Sequence, residues 1–401
     1  MLQFNLVNFG YDSWSSYWKR NQLLFKMLAD QEYINSSFYI NSAVWFTSLL
    51  RHPFSCISQP ARNKLGYLIP LRVQKKITVF TPIILPFQYR APLLSGISNF
   101  FSRRVTREYG SLPLIAIANT PSLFPNDTLA ALWKSAAIKI FDWSDDFAAF
   151  TTNPHESEKI NSHVCRYITE ADLVITINDR LTERARQWNK NAHTLKNATN
   201  LLAFSNHQPP VSFKNPIADL TAPIIGYVGW LNELRLDVEL LYYLASKRPD
   251  WQFVFIGPCS HANPLGDRLS SLHNIHVIKP VAYELLPSLY DKINVCILPN
   301  RINDHTKGND PIKIYEYLAS GKPVVTTPTS GTEVFPDALL IANTNEQFLA
   351  HIETALQEKD PALIEKRIAL GRENSWERRF KELQAYLLPL IEQAARKEKT
   401  S

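Results

Sequence analysis

The sequence predicts an α/β protein made of two doubly wound, Rossmann-like domains in series. Short apolar, β-branched segments alternate with helical patterns through both halves of the chain, which favours parallel sheets covered on both faces. A chain of 401 residues also exceeds what one hydrophobic core usually supports. Residues 204–223 are polar and proline-rich, as linkers are. We therefore expect one domain over residues 1–205 and a second over 206–374.

In the first half, strands and helices follow one another in regular order. Apolar segments predict strands at residues 2–9, 77–85, 112–118, 137–141, 173–177 and 192–196. Helical periodicity predicts helices at residues 18–29, 92–108, 127–134, 155–170 and 179–189. The first segment lacks the basic flank and cleavage site of a signal peptide, so we expect it to be a buried strand.

The second half repeats this alternation and ends in a long helix. Its strands are predicted at residues 224–228, 252–256, 275–277, 295–298, 323–326 and 339–341. Its helices are predicted at residues 237–247, 285–289, 312–320 and 344–358. Residues 375–401 contain apolar side chains at helical spacing, which need a surface to cover them. We expect this helix to pack back on the N-terminal domain.

The most informative segment covers residues 309–325 and reads NDPIKIYEYLASGKPVV. Asp310 is a good N-cap residue, and Pro311 suits the first position of a helix. Gly321 is a natural residue just past a helix end, and Pro323 prevents the helix from continuing. The sequence therefore predicts a short helix that leads directly into a strand.

The N-terminus of that helix is a candidate phosphate site. Helix N-termini attract anions, and Lys313 adds a full positive charge in the first turn. Glu316 lies three residues further on, on the same side, where it could accept hydrogen bonds from sugar hydroxyls. Spacing alone favours a different interpretation, a solvent-exposed ion pair between Lys313 and Glu316.

This segment resembles the donor-binding motif of GT-B glycosyltransferases, particularly those of the family-4 type. The resemblance implies that Lys313 contacts the donor diphosphate and that Glu316 contacts the ribose or the donor sugar. It also implies a GT-B fold, in which two Rossmann-like domains face a cleft. Weaker matches extend it over roughly residues 223–335. The donor-binding residues that it implies are Gly229, Trp230, Arg235, Gly257, Pro258, Tyr283, Pro311, Ile312, Lys313 and Glu316.

The sequence departs from the family at one position. The family pattern has an acidic residue eight positions before Glu316, where this chain has Gly308. Asp304, His305 and Asp310 are the candidates to replace it. The stereochemical outcome, retaining or inverting, therefore stays open. Arg235 also has two interpretations, a phosphate contact or a surface residue paired with Asp237 or Glu239.

The N-terminal half resembles a subset of bacterial enzymes that build polysaccharides and glycolipids, through Trp18, Arg20 and the residues around them. That resemblance implies that Asp12 or Arg20 contacts the acceptor, although core tryptophans and a capped helix would explain the same residues. Asp145 and Asp146 follow a predicted strand, where either could act as general base or cap the next helix. A metal-binding DxD motif is disfavoured, because it would leave the segment around Lys313 unexplained.

Composition limits the possible partners. The net charge of +6 is uneven, with 22 Lys+Arg against 14 Asp+Glu in residues 1–205 and 21 against 23 in the remainder. A basic N-terminal half fits either an anionic membrane surface or an ordinary solvated surface. No nucleic-acid motif and no apolar run of membrane-spanning length is present. The four cysteines are scattered, which indicates a reducing compartment and no zinc site.

Residues and resemblance together predict a metal-independent hexosyltransferase. The expected donor is a UDP- or GDP-linked sugar, with no other cofactor, and the expected acceptor is a hydroxyl of a saccharide or lipid-linked molecule. We expect a role in cell-surface polysaccharide or glycolipid biosynthesis, in the cytoplasm or on the inner membrane face. The alternatives are a nucleotide-sugar epimerase of the same fold and an inactive homologue that only binds the sugar nucleotide.

Overall fold

The computed structural model describes residues 2–11, 13–14, 19–47, 68–86, 92–107, 112–122, 124, 126–201, 204, 209–221, 223–233, 235–259, 269, 271–329 and 331–400. The chain divides into two units, which we call unit 1 (Met1–Leu195 with Phe380–Ser401) and unit 2 (Lys196–Arg379). The first division comes earlier than the expected boundary at residue 205. The second lies inside the last helix rather than at residue 375.

Unit 1 is built on a twisted parallel sheet. Its strands are β1 (Phe4–Phe9), β2 (Ile34–Ile40), β3 (Val44–Trp45), β4 (Leu71–Arg72), β5 (Ile77–Phe80), β6 (Ile83–Ile84), β7 (Leu114–Ala118), β8 (Ile138–Trp143), β9 (Leu173–Thr176) and β10 (Ala192–Thr194). Eight of them form one sheet in the order β10-β9-β8-β7-β1-β2-β5-β4, and β3 pairs with β6. Only the edge pair β4–β5 is antiparallel among the described ladders.

The helices of unit 1 begin where side chains can satisfy their free N–H groups. They are α1 (Arg20–Ala29), α2 (Pro92–Arg107), α3 (Asp127–Ser135), α4 (Pro154–Glu170) and α5 (Asp179–Arg186). Asn126, Asn153 and Asn178 each accept a hydrogen bond from the first turn of α3, α4 and α5. A short 3₁₀ helix, Phe147–Phe150, follows β8.

Strand β2 was not predicted, and it is central to unit 1. It runs parallel to β1 and β5, between them. Its polar residues are satisfied inside the protein, since the Ser36 hydroxyl donates to Asn5 Oδ1 and the Ser37 hydroxyl donates to the Lys76 carbonyl. The strands predicted for the first half therefore omit a central one.

Unit 2 contains a six-stranded, fully parallel sheet. Its strands are β11 (Ile224–Val228), β12 (Gln252–Ile256), β13 (Ile275–Ile278), β14 (Val295–Leu298), β15 (Val324–Thr326) and β16 (Leu340–Ile341). The order is β13-β12-β11-β14-β15-β16. From the central strand β11 the chain adds β12 and β13 on one side. It then crosses to the other side and adds β14, β15 and β16. Ligands of such sheets bind beyond the carboxyl ends of the strands at this switch point, here β11 and β14.

The helices of unit 2 are α6 (Val238–Lys247), α7 (Leu286–Lys292), α8 (Asp304–Lys307), α9 (Ile312–Ala319), α10 (Asn345–Leu356) and α11 (Pro361–Glu373). Helix α11 was not predicted. It packs on α9 so closely that a side-chain carbon at Gly371 would lie 2.6 Å from Ala319 Cα. The Arg367 guanidinium donates to the Gly321 carbonyl at 2.9 Å. Short 3₁₀ helices occur at Tyr283–Leu285 and Thr332–Val334.

The last helix, α12 (Trp376–Thr400), covers its apolar stripe within unit 1 from Phe380 onward. Phe380, Leu383, Leu387 and Ile391 are buried. The Tyr386 ring stacks on the His193 ring with centroids 4.0 Å apart. None of the described helices is both long and apolar enough to span a bilayer. The predicted class, α/β with parallel sheets in two domains, is confirmed.

Candidate active site

Two glycines lie next to each other at the carboxyl edge of the unit 2 sheet. Gly229 follows β11 and Gly257 follows β12. Gly257 has a φ of 151°, and a side-chain carbon there would lie 1.9 Å from the Gly229 carbonyl oxygen. Next along the chain, Trp230 and Pro258 are both exposed to solvent. The edge therefore brings together four of the predicted donor-binding residues, none of which is buried.

Helix α9 begins at this same edge of unit 2. The Val228 backbone N–H donates to the Tyr317 hydroxyl at 2.9 Å, which ties α9 to the end of β11. The helix starts at Ile312 with Pro311 at the N-cap position, and no side chain caps its first turn. Gly321, with a φ of 73°, ends the helix as predicted.

The prediction that Asp310 caps α9 is wrong. Its carboxylate accepts a hydrogen bond from the Asn197 backbone N–H at 2.5 Å and another from the Tyr315 hydroxyl at 2.8 Å. The Asn197 side-chain amide also donates to the Asp310 carbonyl at 2.6 Å. Asp310 is buried and committed to these partners, so it does not replace the missing acidic residue at position 308. Its role is to fix the loop before α9.

We expect Asp310→Ala to lower the free energy of unfolding of unit 2 by about 1–3 kcal/mol, because the buried Asn197 N–H loses its acceptor. Urea unfolding followed by circular dichroism measures the effect. Asp219→Ala is the matched control, since Asp219 is exposed in the same unit, and it should change stability by less than about 0.5 kcal/mol. An unchanged urea midpoint for Asp310→Ala would contradict the positioning role.

Lys313 and Glu316 form an ion pair between a partly exposed ammonium and a buried carboxylate. Lys313 Nζ lies 2.8 Å from Glu316 Oε2, and the two side chains are 26% and 1% exposed. The Tyr290 hydroxyl donates to the same oxygen at 3.3 Å. The alternative of a solvent-exposed ion pair is therefore wrong. A carboxylate this deeply buried needs partners, and Glu316 has a cation and a hydroxyl.

Two tyrosines complete the surroundings of Glu316. Burial and the neighbouring Glu316 charge raise the pKa of Tyr283 well above its ordinary value, and its hydroxyl lies beside Thr199 and Asn200 as well. The same two causes raise the pKa of Tyr290. Both phenols therefore stay neutral and can donate hydrogen bonds to Glu316. We call Lys313, Glu316, Tyr283 and Tyr290 the Glu316 cluster.

Arg235 lies close to Gly229 and Gly257, which together we call the glycine edge. Its charge acts on Tyr227, whose pKa burial raises to about 12 with Arg235 opposing the rise. The Tyr227 hydroxyl donates to the Trp230 carbonyl, and a side-chain carbon at Gly229 would lie 2.6 Å from that hydroxyl oxygen. Asp237, one of the alternative partners of Arg235, caps α6 by accepting from the Leu240 N–H. A phosphate contact by Arg235 stays a prediction.

Position 308 is a buried glycine in the loop between β14 and α9. The loop is held by Asn303 and Thr306, which exchange side-chain to backbone hydrogen bonds at 3.0 and 2.9 Å. The side chains of Asp304 and His305 lie outside the described residues. The structure therefore supplies no substitute for the family's first acidic residue among the side chains that it describes in this loop.

The proposed acceptor contact by Arg20 needs correction. The Arg20 guanidinium is buried, its Nε lies 3.0 Å from Asp142 Oδ1, and its Nη1 donates to the Leu195 carbonyl at 2.7 Å. Asn119 donates to the same carboxylate at 3.2 Å. Arg20 thus ties α1 to the ends of β7, β8 and β10 inside unit 1. Asp12, the other predicted acceptor residue, lies outside the described residues.

The two candidate general bases differ in their surroundings. Asp146 is buried, and its carboxylate accepts from Arg184 Nη1 at 2.8 Å. It occupies the N-cap position of the 3₁₀ helix after β8, but its side chain makes no capping hydrogen bond. Asp145 is half-buried at the carboxyl end of β8. The ion pair makes Asp146 the poorer base.

The two parallel α/β units, with the glycine edge and the Glu316 cluster in unit 2, are those of a GT-B fold. Residues 222–358 match the family described as glycosyl transferases group 1. That match covers most of unit 2. Among the described residues, no three His, Cys, Asp or Glu side chains are grouped so that they could hold a metal ion.

Similar proteins agree with this class. A putative teichuronic acid biosynthesis glycosyltransferase of Bacillus subtilis, TuaH, is 25% identical over 280 residues, which cover 66% of this chain and 70% of that protein. Sucrose-phosphate synthase from Thermosynechococcus elongatus has a TM-score of 0.69 at 14% identity, covering 98% of this chain and 100% of that one. Anabaena HepE, solved in complex with UDP, has a TM-score of 0.63 at 13% identity, covering 97% and 100%. The two structural likenesses establish the fold.

Proposed function

We propose that this chain transfers a hexosyl group from a nucleoside-diphosphate sugar to a hydroxyl of a saccharide or lipid-linked acceptor, without a divalent ion. The observation that carries the proposal is the ion pair between Lys313, in the first turn of α9, and Glu316, beside the switch point of the unit 2 sheet. A helix N-terminus and a partly exposed ammonium offer a diphosphate both a dipole and a full charge.

In this proposal Lys313 binds the leaving diphosphate. Its ammonium has three N–H donors, of which one goes to Glu316, so it can still bind phosphate oxygens. As the bond between the anomeric carbon and the phosphate oxygen breaks, negative charge grows on that oxygen. A fixed cation stabilises this charge more in the transition state than in the ground state. The charge that a divalent ion would supply thus comes from the protein.

The acceptor hydroxyl then bonds to the anomeric carbon and loses its proton. We propose Asp145 as the group that takes the proton, because it is half-buried two residues beyond β8, where ligands of open parallel sheets lie. The nucleoside diphosphate departs with the electron pair of the broken bond. Gly229 and Gly257 let the donor approach their backbone, as side chains there would not.

We place the reaction in cell-surface polysaccharide or glycolipid assembly on the cytoplasmic side of a membrane. The support is the likeness to a putative teichuronic acid biosynthesis enzyme and the basic N-terminal half of the chain. UDP or GDP is the expected nucleotide. Gly308, in place of an acidic residue, keeps an inactive sugar-nucleotide-binding homologue as the second candidate.

The test begins with UDP, GDP and ADP, each added to the protein in a thermal-shift titration, since a ligand at about 100 times its Kd adds about 2.7 kcal/mol to stability. The nucleotide that raises Tm is then used with its sugar, with and without acceptors and with and without EDTA. We expect acceptor-dependent release of nucleoside diphosphate that EDTA does not suppress. Isomerised donor without acceptor would identify an epimerase. Binding without turnover or hydrolysis would identify the inactive homologue.

A further inference from the structure

The unit 1 sheet has a topological switch point of its own, between β1 and β7. The chain adds β2 and β5 on one side of β1, and then crosses to add β7 and β8 on the other side. Ligands of open parallel sheets bind beyond the carboxyl ends of the strands at such a point. We call the carboxyl ends of β1, β7 and β8 the unit 1 edge. Tyr11 follows β1 there, Thr120 follows β7, and Asp145 follows β8.

Tyr11 presents an aromatic ring at the unit 1 edge, and the residue is 50% exposed. The centroid of its ring lies 5.6 Å from that of Phe147, and the two ring planes are inclined at 57°. Phe147 follows β8, and β7 lies between β1 and β8, so the Tyr11 ring extends across the end of β7. Phe147 is buried in the core of unit 1, and it supports the Tyr11 ring from below.

The turn that carries Tyr11 is anchored before and after it. The Gly10 backbone N–H donates to the Ile40 carbonyl at 2.8 Å. The Trp14 backbone N–H donates to Asn41 Oδ1 at 2.7 Å. Because the backbone is held at both places, a ligand that binds to the Tyr11 ring meets a group that is already in position. Such preorganisation lowers the entropic cost of binding.

Hydroxyl and carboxylate groups follow the two neighbouring strands of the unit 1 edge. The Thr120 hydroxyl donates to Ser122 Oγ at 2.9 Å, and Ser122 is exposed. Asp145 is half-buried, and its backbone carbonyl accepts from the Phe147 N–H at 2.9 Å. The proposed base therefore lies in the same tight turn as the ring that Tyr11 contacts. An aromatic face with a few polar groups beside it suits a small polar ligand that also has an apolar face.

A sugar ring fits these groups better than a phosphate does. The C–H bonds on one face of a pyranose carry partial positive charge and pack against the negative face of an aromatic ring. Two arginines near the end of β8, Arg20 and Arg184, already pair with Asp142 and Asp146. A phosphate beside Asp145 would meet a like charge, whereas a neutral sugar would not.

We propose that Tyr11 is a specificity-determining residue whose ring stacks on a pyranose ring of the acceptor. The acceptor is then a saccharide whose terminal sugar lies on Tyr11 and directs a hydroxyl toward Asp145. This inference rests on the proposed function, because it names the class of acceptor for that transfer. Binding of a sugar to unit 1 needs no donor, so the stacking and the transfer can fail separately.

The experiment is saturation-transfer NMR on the full chain without nucleotide, with the methyl pyranosides of glucose, galactose and N-acetylglucosamine as probes. Glycerol 3-phosphate is the comparison probe, because it has hydroxyls and a phosphate but no ring. We expect at least one pyranoside to bind, with the strongest transfer to the protons on one face of its ring. Tyr11→Ala should raise the Kd of that pyranoside about tenfold, because the stacking contact is lost. Tyr11→Phe keeps the ring and should stay within about twofold of wild type.

Trp188→Ala is the matched control. Trp188 is 49% exposed, and it lies between α5 and β10, at the amino edge of the same sheet. Removing this ring should leave the Kd of the pyranoside unchanged. In the transfer assay Tyr11→Ala should raise the KM of a saccharide acceptor about tenfold. The Kd of the nucleotide and the rate of donor hydrolysis without acceptor should not change.

Three results would overturn the role of Tyr11. The first is a wild-type chain that binds none of the pyranosides, whether or not it binds glycerol 3-phosphate. The second is Tyr11→Ala binding the pyranoside as tightly as Trp188→Ala, with circular dichroism showing both variants folded. The third is an equal loss in Tyr11→Phe and Tyr11→Ala, which would assign the contact to the hydroxyl and not to the ring. Sugar binding that depends on the Tyr11 ring, in a chain that transfers no sugar, would support the stacking and reject the proposed function.

Discussion

Replacing Lys313 with alanine is expected to lower kcat by about a hundredfold, the order that follows from losing one fixed donor at a developing anion. Lys313 is partly exposed at the start of α9, and its Nζ is held by Glu316 at 2.8 Å. The side chain is therefore placed before the donor arrives. Initial rates of nucleotide release at saturating donor measure the effect, and Lys313→Arg should retain more activity than Lys313→Ala because it keeps the charge.

Stability must be separated from catalysis in this test. Lys313→Ala leaves Glu316, which is 1% exposed, without its cation, and an unpaired buried charge destabilises a protein. The double variant Lys313→Ala/Glu316→Gln removes that charge. We expect it to recover Tm relative to Lys313→Ala while kcat stays low. Lys322→Ala is the control, since Lys322 Nζ contacts the Asp291 carbonyl, and it should leave kcat unchanged.

Two outcomes would remove Lys313 from the reaction. One is near-normal kcat in Lys313→Ala at saturating donor. The other is recovery of kcat together with Tm in the double variant, since that would assign the whole loss to the stranded Glu316 carboxylate. A rise in the donor KM with kcat intact would point to a ground-state contact instead of stabilisation of the transition state.

The strands of unit 2 could be predicted to within one residue at either end, from 224–228 through 340–341. Fully buried parallel strands are continuous apolar runs, so their limits are visible in the sequence. Strand β2 is equally central in unit 1, but its Asn35, Ser36 and Ser37 interrupt the run. Those residues are satisfied by Asn5 and Lys76, which are distant in sequence. No local pattern contains that information.

In the candidate site, too, local contacts could be predicted from the sequence and contacts between distant residues could not. Lys313 and Glu316 are three residues apart, so the ion pair could be predicted from helix geometry. The burial of Glu316 could not, because it depends on Tyr283 and Tyr290 from other elements. Asp310 was assigned to its nearest helix, whereas its partner Asn197 lies 113 residues away. A side chain that suits a helix N-cap can instead form hydrogen bonds with residues that are distant in the sequence.

Arg20 illustrates the same limit in unit 1. A basic residue at the start of the first helix is expected to lie on the surface. The sequence does not reveal that Arg20 pairs with Asp142, which lies 122 residues later in the chain. Asp142 stands directly at the end of a buried apolar strand, which is the one signal that could have drawn attention to it. The buried pair explains why Arg20 cannot serve as an acceptor contact.

Gly257→Ala is expected to lower the free energy of unfolding of unit 2 by about 4 kcal/mol and to abolish donor binding. The added carbon would lie 1.9 Å from the Gly229 carbonyl oxygen, and alanine rarely adopts a φ of 151°. Relief requires the turn after β11 to move away from β12. That movement displaces Gly229 and Trp230, so stability and nucleotide affinity should fall together.

Gly96→Ala is the matched control, because a side-chain carbon there meets nothing within 4 Å. Gly96 lies inside α2, where alanine should stabilise the helix by up to about 1 kcal/mol. Urea unfolding, fitted with a separate transition for each unit, and nucleotide titration measure both variants. Should Gly257→Ala unfold at the wild-type midpoint and bind nucleotide normally, the two turns would have to be further apart than their glycines indicate, and the glycine edge would lose its place in the donor site.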